Sequence, residues 1–122
     1  FLSVSDVLSV CCPATKETTD LINKETLEYL PQGAVVTNVA RGDIVNDDAL
    51  IDALNRRKIY AVGLDVYKGE PNLNPGYLKH KSAFILPHLG SASKLTRTAM
   101  ADLAIDNIDE FFKSGSCKNK VN

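Results

Sequence analysis

A strand, a helix and a second strand follow one another between residues 34 and 65, and this order constrains the fold most strongly. The run Ala34–Val39 is short, apolar and β-prone, which indicates a buried strand. Apolar residues then recur at helical spacing, which predicts a helix over about Asp47–Arg57, and Ile59–Asp65 is a further apolar run. This order forms a right-handed crossover between parallel strands, so the sequence predicts an α/β fold with a parallel sheet.

Further elements extend the pattern on both sides. Val7–Cys12 and Ala83–Leu86 are predicted to be strands, each closed by a proline, and a weak helical turn is predicted around Lys24–Tyr29. From Ser93 the pattern is helical until Ser114-Gly115-Ser116 stops it. This helix has an apolar face that favours either core packing or a contact between domains. The face comprises Leu95, Met100, Leu103, Ala104, Ile108, Phe111 and Phe112.

Composition excludes several classes of partner. The 122 residues have a net charge of -1, and Lys and Arg are scattered rather than clustered, so nucleic acid is not expected to bind. No apolar run approaches the roughly 18 residues of a membrane span, and the first residues lack the features of a signal peptide. We therefore expect a cytoplasmic protein without a membrane partner.

The cysteines and histidines do not indicate a metal site. Cys11, Cys12 and Cys117 are odd in number and lack C-x-x-C spacing, so buried, reduced thiols are expected rather than disulfides or a zinc site. His80, His88 and Glu70 could supply two imidazoles and a carboxylate. Their spacing matches no recognised ligand pattern, and His80 stands between two lysines, so we expect no metal.

Charged or titratable residues follow three successive strands at the point where each strand ends. Arg41 follows the second predicted strand, Asp65 and then Glu70 follow the third, and Pro87-His88 follow the fourth. Parallel strands place their carboxyl ends at one edge of the sheet, where ligands of open α/β folds bind. We therefore expect these side chains to converge although they are distant in sequence.

The converging residue types suit the chemistry of small acids. A guanidinium clamps a carboxylate through two parallel hydrogen bonds, and an imidazole exchanges a proton with an adjacent hydroxyl or carbonyl oxygen. A carboxylate beside an imidazole fixes its tautomer and favours its protonated form. The set thus suits interconversion of a 2-keto acid and a 2-hydroxy acid. The hydride must come from a nicotinamide cofactor, because no side chain donates one.

Three ordered motifs spread over nearly the whole chain carry a family resemblance. They are Asn38-Val39-Ala40-Arg41-Gly42 with Ile44-Val45 and Asp48-Ala49-Leu50, then Gly63-Leu64-Asp65-Val66-Tyr67 to Glu70-Pro71, and Pro87-His88-Leu89-Gly90-Ser91. Together they resemble the D-isomer-specific 2-hydroxyacid dehydrogenases, and most closely the glyoxylate and hydroxypyruvate reductase branch. The resemblance implies an oxidoreductase that transfers hydride between NAD or NADP and a small 2-keto or 2-hydroxy acid, and a homodimeric parent enzyme.

The resemblance also implies roles for individual residues. Arg41 would bind the substrate carboxylate, His88 would be the acid/base, and Glu70 would be the partner of His88. Asp65 would meet the nicotinamide end of the cofactor. The remaining residues implied to bind the cofactor are Cys12, Pro13, Thr18, Val39, Ala40, Arg41 and Gly90.

Two departures from the family pattern bear on these expectations. The family commonly has a histidine where Cys11 stands. The seven glycines never fall as G-x-G, so the phosphate-binding loop is absent from this stretch. We therefore expect the C-terminal part of such an enzyme, inactive in isolation. Residues 1–93 would be the C-terminal half of a Rossmann-like NAD(P)-binding domain, and residues 94–122 the return helix and tail toward a substrate domain.

Simpler interpretations stand beside these. Taken singly, Arg41 could be a surface or ion-pairing residue, His88 a loop histidine, and Glu70 a solvated turn acid. Asp65 could cap the following turn through its side chain. The same family architecture also includes transcriptional corepressors, non-enzymatic proteins that use the dinucleotide to control association, and these resemble the enzymes at Arg41, Glu70 and His88 too.

Overall fold

The computed structural model describes residues 1–121 and divides the chain into two compact units. The first unit, Phe1–His88, contains the sheet, and the second, Leu89–Asn122, contains the long helix.

Four parallel strands form the sheet of the first unit. Strands β1 (Val7–Val10), β2 (Ala34–Asn38), β3 (Ile59–Leu64) and β4 (Ala83–Ile85) lie side by side in the order of the chain. The predicted α/β fold with a parallel sheet is therefore confirmed. The register pairs the last residue of β2 with the last residue of β3, so the carboxyl ends of these strands lie at one edge.

Two short helices cover one face of the sheet. Helix α1 (Lys24–Glu28) and helix α2 (Asp47–Asn55) begin at Asn23 and Asn46, whose side chains accept hydrogen bonds from main-chain N–H groups of the first turn. The buried face of α2 comprises Leu50, Ala53 and Leu54.

The core lies between these helices and the facing side chains of the strands. Alternate strand residues point into it, because successive side chains of a strand face opposite sides of the sheet. These buried strand residues include Leu8, Val10, Ala34, Val36, Val62 and Leu64.

The predicted elements extend one to two residues beyond those in the structure. Strand β1 ends at Val10 rather than Cys12, and α2 ends at Asn55 rather than Arg57. The sequence also gave no sign of one connection between loops. The N–H of Ile22 donates to the carbonyl of Ile44 (3.0 Å), and the carbonyl of Ile22 accepts from the N–H of Asn46 (2.8 Å). These bonds join the segment after β1 to the loop after β2.

Helix α3 (Lys94–Ser114) forms most of the second unit. Ser93 caps its first turn, and it ends at Gly115, whose φ of 76° lies in the left-handed region that favours glycine. The predicted start and stop of this helix are thus confirmed. No residue of α3 is buried, so the prediction that its apolar face packs into a core is wrong for this chain. A contact of that face with another domain stays a prediction. Within residues 1–121, no helix combines the length and the apolar character needed to cross a membrane.

Candidate active site

His88 and Glu70 form a direct pair beyond the carboxyl ends of β3 and β4. The imidazole Nδ1 of His88 lies 2.8 Å from Oε2 of Glu70. An ionised carboxylate can only accept hydrogen bonds, so Nδ1 carries the proton that it donates to Glu70. Nε2 is then the ring nitrogen available to a substrate. Glu70 is held in turn, because its Oε1 accepts a hydrogen bond from the main-chain N–H of Tyr67 (3.1 Å).

The main chain of His88 also fixes the position of the ring. Its φ of 56° lies in the left-handed region, which is uncommon for a residue other than glycine and often marks a functional site. Its N–H donates to the carbonyl of Asp65 (2.9 Å), which links the ends of β3 and β4. The imidazole therefore projects from a defined point on the sheet edge.

Arg41 lies in the loop directly after β2. Its main chain is extended, its side chain is exposed, and Nη1 donates to the carbonyl of Ala40 (2.7 Å). The loop is held by the buried side chain of Asn38, which accepts from the N–H of Ala40 (3.0 Å) and donates to the carbonyl of Arg41 (2.8 Å). The sequence motif included Asn38, but its role was not predicted.

Gly42 allows the loop of Arg41 to approach the loop of Glu70. A Cβ atom at position 42 would overlap the main-chain carbonyl group of Tyr67 and come within 2.5 Å of the nitrogen of Lys68. Glycine is required at such a close approach of two backbones. Because Tyr67 also donates to Glu70, the contact at Gly42 fixes the spacing between the arginine loop and the His88–Glu70 pair. This function of Gly42 was likewise not predicted.

A cavity of about 510 Å³ lies beside Arg41, at the carboxyl ends of β1 and β2. It brings together four of the residues predicted to bind the cofactor. Its lining residues are Cys11, Cys12, Pro13, Ala14, Ala40 and Arg41.

The other residues predicted to bind the cofactor have varied surroundings. The Thr18 hydroxyl donates to the carbonyl of Pro13 (2.8 Å) and so shapes the loop behind the cavity. Val39 is exposed, and Asp65 is buried, with its main-chain N–H donating to the carbonyl of Asn38 (3.0 Å). Gly90 belongs to the second unit and is exposed.

The expectation of buried thiols is wrong. Cys11 is exposed, and Cys12 and Cys117 are half-buried. The physical reason is the early end of β1, which leaves Cys11 and Cys12 in the loop beyond the strand. Among residues 1–121, no group of three or more His, Cys, Asp or Glu side chains is arranged to hold a metal ion.

The residues fit one end of a dinucleotide better than the whole of it. The cavity is lined by small side chains and by Arg41, and it lies at the carboxyl ends of parallel strands, where such cofactors bind. These features suit the flat nicotinamide ring. The chain has no G-x-G sequence, so it lacks the glycine-rich loop that would hold the pyrophosphate.

A second polar pair lies at the start of α2. The hydroxyl of Tyr77, a fully buried residue, donates to Oδ1 of Asp47 in the first turn of the helix (2.8 Å). Burial raises the pKa of Asp47, although the hydrogen bond from Tyr77 opposes the effect. Burial, together with the charge of Asp47, raises the pKa of Tyr77 far above its ordinary value.

Comparison with known proteins agrees with this geometry. A family model described as D-isomer specific 2-hydroxyacid dehydrogenase, NAD binding domain, matches residues 1–90. Glycerate dehydrogenase from Hyphomicrobium methylovorum is 45% identical over 111 residues, which are 91% of this chain and 34% of that protein. Hydroxypyruvate reductase from Blautia hydrogenotrophica is 41% identical over 123 residues, covering 99% of this chain and 38% of the relative.

A solved structure has the same fold. It is the NADPH-dependent glyoxylate/hydroxypyruvate reductase from Sinorhizobium meliloti in complex with NADP and malonate. The similarity has a TM-score of 0.88 and 39% identity, and it covers 93% of this chain and 35% of that one. The chain thus spans about a third of the length of the relatives that it matches.

Proposed function

The chain belongs to the D-isomer-specific 2-hydroxyacid dehydrogenase family, and from this premise we propose that it supplies the catalytic edge of an NAD(P)-dependent reductase of small 2-keto acids. The observation that carries the proposal is the His88–Glu70 pair, with Nδ1 and Oε2 2.8 Å apart. The pair holds a proton-transfer group at the same sheet edge as Arg41. The pair favours this role over those of a solvated turn acid and an unrelated loop histidine.

Each catalytic side chain has one task in the proposed reaction. Arg41 binds the substrate carboxylate through its planar guanidinium and thereby orients the neighbouring carbonyl. His88 donates a proton from Nε2 to the carbonyl oxygen as that oxygen becomes a hydroxyl, and Glu70 stabilises the imidazolium form and its orientation. NADH or NADPH, when bound, supplies the hydride to the carbonyl carbon.

The cofactor contacts are proposed for the cavity beside Arg41. Cys12, Pro13 and Ala40 would line the nicotinamide end, Thr18 would support the loop that carries Pro13, and Val39 and Asp65 would add further contacts. The family resemblance also implies a cofactor contact for Gly90. Both NAD and NADP are compatible with these residues. The solved relative from Sinorhizobium meliloti, with NADP in its structure, supports the second.

The names of the relatives favour an enzymatic function and particular substrates. They are a glycerate dehydrogenase, a hydroxypyruvate reductase and a glyoxylate/hydroxypyruvate reductase, so we propose glyoxylate or hydroxypyruvate as substrate. These enzyme names weigh against the corepressor alternative. We further propose that residues 1–93 act as half of the cofactor domain, that residues 94–122 return toward a substrate domain, and that the whole protein is a homodimer.

Kinetics of a joined protein, a chimaera of this chain and a relative, test the proposal. The chain would replace the equivalent segment of the Blautia hydroxypyruvate reductase, which aligns with 99% of it, and NADPH oxidation would be followed with hydroxypyruvate and with glyoxylate. Arg41→Ala is expected to raise KM strongly, because carboxylate binding is lost. His88→Ala is expected mainly to lower kcat, by about 100-fold or more. Near-normal activity in either variant would contradict the assignment.

A further inference from the structure

The side chain of Asn38 is a buried polar group to which the proposed reaction gives no task. It lies at the last position of β2 and is 1% exposed. A buried amide is favourable only when its hydrogen bonds are satisfied. Here both partners lie in the next three residues of the chain, Ala40 and Arg41, so the amide acts on the loop that carries the guanidinium.

The two hydrogen bonds fix the orientation of the amide. The N–H of Ala40 can only donate, and it meets Oδ1 at 3.0 Å. The carbonyl of Arg41 can only accept, and it meets Nδ2 at 2.8 Å. Rotating the amide by half a turn would break both bonds. Asparagine thus provides, on one short side chain, the acceptor and the donor that this loop conformation needs.

The main chain of Asn38 connects the same loop to the histidine. Its carbonyl accepts from the N–H of Asp65 (3.0 Å), and the carbonyl of Asp65 accepts from the N–H of His88 (2.9 Å). The residue that holds Arg41 is therefore part of the hydrogen-bonded edge to which His88 is attached. Asn38 is therefore hydrogen-bonded both to the loop that carries the guanidinium and, through Asp65, to the main chain that carries the imidazole.

We propose that Asn38 is a positioning residue for Arg41, setting where the guanidinium meets the carboxylate of a 2-keto acid. The inference rests on the proposed function, because it assumes that Arg41 binds this carboxylate. Removing the amide would release the arginine loop without touching the His88–Glu70 pair. The expected defect is therefore in carboxylate binding and not in the histidine.

Nuclear magnetic resonance of the ¹⁵N-labelled 122-residue chain tests this proposal. The probe is oxamate, whose carboxylate and adjacent carbonyl have the layout of a 2-keto acid, and the Nε–H signal of Arg41 reports its binding. Asn38→Leu removes both hydrogen bonds at similar volume, and Asn38→Ala is the second variant should leucine disturb the fold. Thr37→Val is the matched control. Thr37 precedes Asn38 in β2. The substitution removes the hydrogen bond from the Thr37 hydroxyl to the Ser9 hydroxyl (3.1 Å), which does not involve the loop that carries Arg41.

The expected result is a local defect. In Asn38→Leu the affinity for oxamate falls by about fivefold or more, because a misplaced binding group loses much of its effect. The Ala40 amide exchanges with solvent about tenfold faster or more, while the amides of Val36 and Val62 stay protected and the His88 ring signals stay in place. Thr37→Val retains the affinity of the unmutated chain within about twofold, as expected for a change away from the loop.

Three other outcomes would count against the inference. Unchanged oxamate affinity in Asn38→Leu and Asn38→Ala would overturn it. Loss of amide protection across the whole sheet in both variants would show a purely structural role and would also overturn it. An Arg41 signal that oxamate does not move in the unmutated chain would contradict the role proposed for Arg41. In that case the Ala40 exchange rate would still decide whether Asn38 holds the loop.

Discussion

A few contacts hold the His88–Glu70 pair, the proposed proton donor and its partner, in place. Glu70 receives the N–H of Tyr67 on one oxygen and faces Nδ1 of His88 with the other. The N–H of His88 is bonded to Asp65, so the ring is fixed at its main chain and at its inner nitrogen. Nε2 is left to act on a substrate. The chemistry proposed for this edge thus depends on one carboxylate having a defined partner on each oxygen.

Replacing Glu70 by Gln is expected to lower kcat of the joined protein by about 100-fold. Gln is similar in size but lacks the charge that stabilises the imidazolium form, and its amide can donate to Nδ1 and so favour the wrong tautomer. KM for hydroxypyruvate should change little, because Arg41 is untouched. Steady-state kinetics measure both constants, and an unchanged kcat would show that Glu70 is a solvated turn acid.

Gly42→Ala is expected to destabilise the chain by about 1 to 3 kcal/mol, as overpacking of a close contact does. The added methyl group would overlap the main chain of Tyr67, so one of the two loops must move. Gly63→Ala is the matched control, since its Cβ would only contact Cγ2 of Thr37 at 3.4 Å. Urea denaturation compares the two free energies of unfolding. Equal values would contradict a special contact at Gly42.

At the scale of elements, the order of strands and helices determines most of the fold. The crossover between residues 34 and 65 and the apolar runs predicted all four strands and their parallel direction, because these depend on local patterns. The polar residues after the strands also predicted a site at one edge. Contacts between loops could not be predicted in this way. The packing of Gly42 on Tyr67 depends on tertiary placement, and so does the positive φ of His88, whose N–H bonds to Asp65. The bonds of Asn38 to Ala40 and Arg41 are local in sequence, but the pattern of residue types does not specify them.

The anchoring of α2 by Tyr77 predicts a specific dependence of stability on pH. In the folded state the pKa of Tyr77 lies far above the ordinary value of 10.0, so only the unfolded chain releases this proton near pH 10. The unfolded state then binds fewer protons, and the free energy of unfolding falls as the pH rises past 10. Below pH 10 this contribution to stability is fully present.

Above about pH 10, Tyr77→Phe is expected to reduce the slope with which the free energy of unfolding falls by up to about 1.4 kcal/mol per pH unit. At neutral pH the variant should be less stable by about 1 to 3 kcal/mol, because the half-buried carboxylate of Asp47 loses this hydrogen bond. Urea denaturation at about pH 8 to about pH 11, a range that brackets the ordinary tyrosine pKa, measures both effects. Tyr60→Phe, at an exposed tyrosine, is the control. A slope in Tyr77→Phe equal to that of the control would refute the account.

At the scale of the whole molecule, the chain holds the groups proposed to transfer the proton and to bind the carboxylate, without a glycine-rich phosphate loop. It spans about a third of the length of its relatives. The groups proposed to bind the substrate carboxylate and to move the proton are therefore concentrated in a short stretch. Binding of the cofactor pyrophosphate would depend on residues outside it.

The isolated 122 residues are accordingly expected to show no turnover with NADPH and glyoxylate. The proposed proton donor, His88, is present, but the loop that would hold the cofactor phosphates is not in the sequence. Absorbance of NADPH at high protein concentration measures this, with the joined protein as the positive control. Measurable reduction of glyoxylate by the isolated chain would refute the expectation.

The protonation of the His88 ring is the most direct test of the central claim, that Glu70 fixes this histidine as a proton donor through Nε2. Long-range ¹H–¹⁵N spectra of the chain, taken at a pH where the imidazole is neutral, distinguish the two ring nitrogens, and His80 is the only other histidine in the sequence. The account predicts a proton on Nδ1 of His88 and a return to the ordinary Nε2-protonated form in Glu70→Ala. A proton on Nε2 in the unmutated chain, unaffected by Glu70→Ala, would contradict it.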